Sequence, residues 1–108
     1  MWLFTNTGFI SAVSNGKDLM VRSRDVESLE PLAESAKTEI IKTPQNDYPY
    51  RVIVTHELFA KWVAHMAQNI DYTNFKSEVA ATRGYDFAHP LMKVWSAMHE
   101  VEDEGARG

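Results

Sequence analysis

The dipeptide Asn15-Gly16 constrains this chain more than any other feature. It stands between two runs rich in aromatic and β-branched residues, and in that setting Asn-Gly is the strongest short-range signal for a tight β-hairpin. The first run, residues 2–13 (WLFTNTGFISAV), reads as a strand in which Gly8 marks a bulge or bend. The second, Leu19–Arg24, alternates. Val21 and Ser23 take one side, and Arg22 and Arg24 take the other. The start of the chain is thereby committed to antiparallel sheet.

The rest follows by changes of period. Leu29, Leu32, Ala33 and Ala36 repeat at helical spacing and predict a helix over about 27–37, with Asp25 or Ser28 as its cap. Pro31 is compatible with Ser28 as the cap, because proline is tolerated in the first turn. Residues 39–43 predict a short strand, and Tyr50–Thr55 predict a second. Thr55 is placed to cap a long helix whose apolar face is Leu58, Phe59, Trp62, Val63, Met66 and Ile70. A shorter helix starts at Asp71 or Thr73, carries Tyr72, Phe75 and Val79 on one side, and ends at Gly84 in the left-handed conformation. Asp86 caps the last helix, with Phe87, Leu91, Val94, Trp95, Met98 and Val101 as its face and Pro90 near its first turn. The order is ββαββααα. It implies an α+β fold, an antiparallel sheet of about four strands with helices packed on one face. The chain reads as one globular domain over 1–104 with a frayed tail at 105–108.

Composition narrows the functional classes. With no cysteine among its 108 residues, the chain has no disulfide, thiol nucleophile or thiolate metal site. Eleven basic residues against fifteen acidic ones give a formal net charge of -4, which argues against general nucleic-acid binding but leaves room for a local basic patch. Glu100, Glu102, Asp103 and Glu104 concentrate the acidity near the C-terminus. The apolar start lacks a basic n-region and is interrupted by Thr5, Asn6, Thr7 and Gly8, so it does not read as a signal peptide. No run approaches the length of a membrane span. These features predict a soluble, cytoplasmic protein with no membrane partner.

Catalytic and metal signatures are lacking. His56, His65, His89 and His99 fall in no paired spacing. The serines sit in no glycine elbow. The acidic "EVEDE" segment lies on a tail, which cannot hold two carboxylates at a fixed separation. The reading is therefore non-enzymatic, without cofactor or metal. A small enzyme using His56, His65 or His99 beside an aspartate is the weakest of three hypotheses.

Two groups of residues suit binding instead. Tyrosines recur beside aspartates at element junctions, in Asp47-Tyr48, Asp71-Tyr72 and Tyr85-Asp86. Aromatic residues and arginine are favoured at protein interfaces because they offer large contact area with a polar handle. Tyr48, Tyr50, Arg51, Tyr72 and Lys76 are the candidate contact residues for a protein partner. In "DYPYR", Pro49 straightens the chain into the strand, so Tyr48 and Tyr50 are expected on one side and Arg51 on the other. The second group is Arg22, Arg24 and Arg51. If they share the open side of the sheet, with Trp2 or Phe4 as an aromatic floor, they suit a nucleotide or a single-stranded nucleic acid.

The segments WLFTNTGFIS, DYPYR, DYTNFKSEVA and VWSAM, in this order, resemble those of a family of small uncharacterised bacterial proteins. The resemblance spans most of the chain and implies an intact fold, but it brings no activity, cofactor or catalytic residue. The reading is of a small binding module acting through protein–protein interaction, a regulatory adaptor or an inhibitor such as the anti-defence proteins of phages. The alternative is the arginine-bearing nucleic-acid or nucleotide binder. A homodimer is a further expectation, since an open sheet face or edge is often covered by a second copy.

Overall fold

The Asn15-Gly16 turn forms as the sequence requires. In the computed structural model, which describes residues 1–103 and 105, Asn15 pairs with Asp18 across it and Gly16 takes φ +77°. The strand before the turn is shorter than expected. The run 2–13 doubles back at Asn6-Thr7 and makes two strands, β1 (Trp2–Thr5) and β2 (Gly8–Asn15). Thr5 Oγ1 accepts from the Thr7 amide at 3.2 Å, so the polar Thr-Asn-Thr segment closes its own turn. The sheet accordingly has five strands rather than about four. β3 (Asp18–Ser23), β4 (Ile41–Lys42) and β5 (Tyr50–Val54) complete it in the order β1-β2-β3-β5-β4, with every pairing antiparallel.

Gly8 is needed for a close approach rather than a bulge. A Cβ there would lie 2.1 Å from Ser28 Oγ and 2.8 Å from Ser28 Cα. Ser28 is buried, donates to Asp25 Oδ1 at 2.6 Å and accepts from the Phe9 amide at 3.2 Å. Neither it nor Asp25 caps the first helix, α1 (Glu30–Ala36). Leu29 occupies the cap position without a side-chain bond, and Pro31 falls in the first turn. Ser28 is instead recruited to pin β2, a non-local contact.

Helix α2 (His56–Gln68) is capped by Thr55, whose hydroxyl accepts from the Leu58 amide at 3.1 Å. Ile70 lies past its end and is exposed. Helix α3 (Phe75–Arg83) is capped by Asn74, not by Asp71 or Thr73, through the Ser77 amide at 2.9 Å. Gly84, at φ +93° and ψ +160°, is extended rather than left-handed helical and serves both as the end of α3 and the start of α4 (Tyr85–Met98). Asp86 therefore lies inside the first turn of α4 rather than at its cap. Pro90 sits within that helix, which continues through it. The expected tail, 105–108, falls outside the described residues except for Gly105.

The chain gathers into two compact units, Met1–Asp71 and Tyr72–Gly108. In the first, Ile10, Ala12, Val21, Val52 and Val54 from the sheet pack against Leu29, Leu32, Ala33, Phe59 and Trp62. Each such side chain contributes roughly 1.5–3 kcal/mol by leaving water. Helices α1 and α2 thus cover one sheet face. In the second unit, α3 and α4 pack on each other, and Val79 and Ala88 are the buried residues among those described. No helix among the described residues is long and apolar enough to cross a membrane.

Candidate functional site

Alternation fixes what the second face of the sheet displays. Since Val21 and Val52 point into the core, their neighbours Arg22 and Arg51 point away from it. Antiparallel register then aligns one row across all five strands: Trp2 opposite Ser11, Ser11 opposite Arg22, Arg22 opposite Arg51, and Arg51 opposite Ile41. Phe4 and Phe9 sit opposite each other in the next row and stack at 4.5 Å between centroids. Trp2 meets Phe9 edge-on at 5.7 Å and is itself 69% exposed. The buried cluster of the first unit lies on the opposite face.

The two central arginines are short of partners. The Arg22 guanidinium donates to Ser11 Oγ at 2.9 Å, and that of Arg51 to the sulfur of Met20 at 3.4 Å. A thioether is a weak acceptor. The Nε of each is buried and unbonded among the described residues. Like charges directly opposite each other in a sheet destabilise it by roughly 0.2–1 kcal/mol. The arginines nevertheless lie side by side, and among the described residues no carboxylate is bonded to either.

Arg24 behaves differently. It pairs with the Asp47 carboxylate at 3.0 Å and donates to its carbonyl at 3.0 Å. The hydrogen bond and the charge of Asp47 hold the Arg24 pKa above its ordinary value. Both side chains are exposed.

The tyrosines of "DYPYR" do not share a side. Tyr50 lies opposite Ser23 and packs against the core. Tyr48 precedes the strand in a bend, and its ring is turned to the arginines. Arg22 Cζ is 4.5 Å and Arg24 Cζ 4.6 Å from its centroid. The pull of two cations on an aromatic face, together with the Arg24–Asp47 pair, overrides simple alternation across Pro49. Tyr48 is only 7% exposed, so it supports the arginines from beneath.

The remaining candidates belong to the second unit. Lys76 Nζ lies 5.1 Å above the Trp95 ring and 3.1 Å from the Met92 sulfur, and Tyr72 meets Phe75 at 6.0 Å. A groove of about 280 Å³ between α3 and α4 is lined by Asn74, Lys76, Ala80, Tyr85, His89 and Met92. Trp95 and Met98 are each 57% exposed, and Val94 and Val101 are exposed beside them. Sequence periodicity assigned Val94, Trp95, Met98 and Val101 to a core.

No protein-family model, curated protein or solved structure matches this chain. The chemistry is therefore read from geometry alone. His65 bonds Asn69, His89 lies against Tyr85, and His99 meets Glu102 at 3.3 Å on an exposed helix end. Among the described residues, no group of three or more histidines, aspartates or glutamates is placed to hold a metal ion. The structure offers two surfaces rich in aromatic and cationic side chains, one on each unit.

Proposed function

We propose that this protein is a small non-catalytic binding module that acts through protein–protein contact, as a regulatory adaptor or an inhibitor in the cytoplasm. One observation carries the reading: the C-terminal half of α4, with the single turn His99–Val101 that follows it, presents Val94, Trp95, Met98 and Val101 to solvent. Burying apolar surface stabilises by roughly 25 cal/mol per Å², so a stripe this large left in water is costly unless another molecule covers it. Trp95 is the natural anchor, because aromatic residues dominate binding energy where they fill a partner's pocket. Lys76, over its ring, supplies a charge at the rim, and Tyr72 belongs to the same unit. Tyr48, Tyr50 and Arg51 lie on the other unit and are not needed for this contact.

The test is site-specific photo-crosslinking in cells. A photoreactive phenylalanine at position 95 should trap a discrete protein adduct, whereas the same residue at Lys17, on the hairpin tip, should not. Adducts of the same pattern at both positions, or none at position 95, would remove the basis of the reading. An adduct at twice the mass of the chain would identify the partner as a second copy.

A further inference from the structure

We infer that the sheet face of the first unit opposite its core binds single-stranded nucleic acid, seating a backbone phosphate on Arg22 and Arg51 and stacking bases on Trp2 and the Phe4–Phe9 pair. The inference goes beyond protein contact and uses residues of the other unit, so either can fail without the other.

Four observations support it. First, two guanidinium groups lie directly opposite on neighbouring strands, and their bonded partners are a serine hydroxyl and a thioether rather than carboxylates. An arginine fork matches the oxygens of a phosphate, and two forks side by side offset each other's repulsion only when an anion lies between them. Second, the local charge differs from the global one. The one carboxylate on this face of the described strands is Asp18, at the hairpin tip and bonded by Asn15 at 3.0 Å. It is four residues from Arg22, about 13 Å along the strand. Asp47 is already compensated by Arg24. Third, the aromatic side chains share the face. Trp2 stands in the same row as the arginines, two strands from Arg22 and three from Arg51, lateral distances of about 10 Å and about 14 Å. A flexible single strand spans such a gap within one or two nucleotides. Fourth, Tyr48 fixes Arg22 from one side and Ser11 fixes it from another, so the donor is held in place before any ligand arrives. An acidic peptide would use the arginines but leave the rings idle. A duplex would offer phosphates but no free base faces.

The experiment is fluorescence anisotropy with a fluorescein-labelled ten-nucleotide oligo-dT on the full chain at about 50 mM salt, where electrostatic contacts are strong. The expected result is saturable binding that weakens as salt rises. Arg22→Ala with Arg51→Ala should lower affinity at least tenfold and reduce the steepness of the salt dependence by about 0.7 log units per log unit of salt, the change for one phosphate of a single strand. Trp2→Ala should weaken binding about five- to a hundredfold with the salt slope unchanged, because stacking is not a counter-ion effect. Arg51→Lys provides a second arginine variant that keeps the charge and loses the fork, and it should also weaken binding. Oligonucleotide should quench tryptophan emission, and the quench should shrink in Trp2→Phe. No binding by the wild-type chain at low salt overturns the inference, as does binding untouched by the Trp2 and Arg51 variants. Equal affinity for inorganic phosphate, for an acidic peptide or for a duplex of the same length also overturns it.

Discussion

Gly8→Ala tests the packing of the first unit at its tightest point. The new Cβ would sit 2.1 Å from Ser28 Oγ, 2.6 Å from its Cβ and 2.8 Å from its Cα. Rotating the serine side chain relieves the first contact only, since Cβ and Cα move with the backbone. It also breaks the bonds from the Phe9 amide and to Asp25. Overpacking in a fitted site costs about 1–3 kcal/mol, and stranding a buried polar group costs about 1–3 kcal/mol more. A loss of about 3 kcal/mol is expected. For a unit of this size that corresponds to a fall in Tm of roughly 10–20 °C. Thermal unfolding followed by near-ultraviolet circular dichroism, which reports on buried Trp62, measures it. A second variant sharpens the reasoning. Ser28→Gly removes two of the three clashing atoms, so the double variant should be less destabilised than the sum of the singles, with a coupling of about 1 kcal/mol or more. A Gly8→Ala variant melting within about 3 °C of wild type, or strictly additive effects, would show that the two segments do not meet as described.

Other perturbations have separate expected outcomes. Thr55→Ala and Asn74→Ala each remove a helix cap and should cost about 1 kcal/mol, read by urea denaturation; Asp25→Ala should not weaken α1 by loss of a cap, because it holds Ser28 instead. Tyr48→Ala should destabilise the first unit by about 3 kcal/mol through loss of a buried ring, whereas an exposed contact residue would leave the melting curve unmoved. Trp95→Ser with Met98→Ser should leave the melting of the first unit unchanged and reduce any self-association, as measured by light scattering after size exclusion. Pro90→Ala restores a backbone donor inside α4 and should stabilise that helix by up to about 3 kcal/mol, seen as increased helical ellipticity and a higher melting temperature for the second unit.

Much of the architecture was legible because it is local. The Asn15-Gly16 turn, the cap at Thr55 and the apolar period of α2 each rest on contacts within a few residues, and each formed as the pattern demands. The helix start at Glu30 was less legible, because Ser28 accepts from the distant Phe9 amide and Asp25 accepts from the Ser28 hydroxyl; at Phe75 the cap is Asn74, next to the expected Thr73. The break at Asn6-Thr7 was hidden for a related reason. A strand with a polar interruption and a hairpin with a short turn share one composition, and only pairing across the turn distinguishes them.

The candidate surfaces divide along the same line. Alternation in the sequence put Arg22 and Arg24 on one side of their strand and Trp2 and Phe4 at alternate positions of the first, but it left open which side faces the core; the burial of Val21 and Val52 decided that for Arg22 and Arg51. Only the tertiary register brought Trp2, Ser11, Arg22 and Arg51 into one row, because that row needs the pairing of Arg22 with Arg51, 29 positions apart (51 − 22). Tertiary structure also turned Tyr48 beneath the arginines against the simple alternation of its neighbours, and gave Arg24 but not Arg22 a carboxylate. It decided, finally, that the apolar stripe of α4 stays in water. A helical period states that a face is apolar, but whether anything lies against it depends on how many faces the rest of the fold has left to offer.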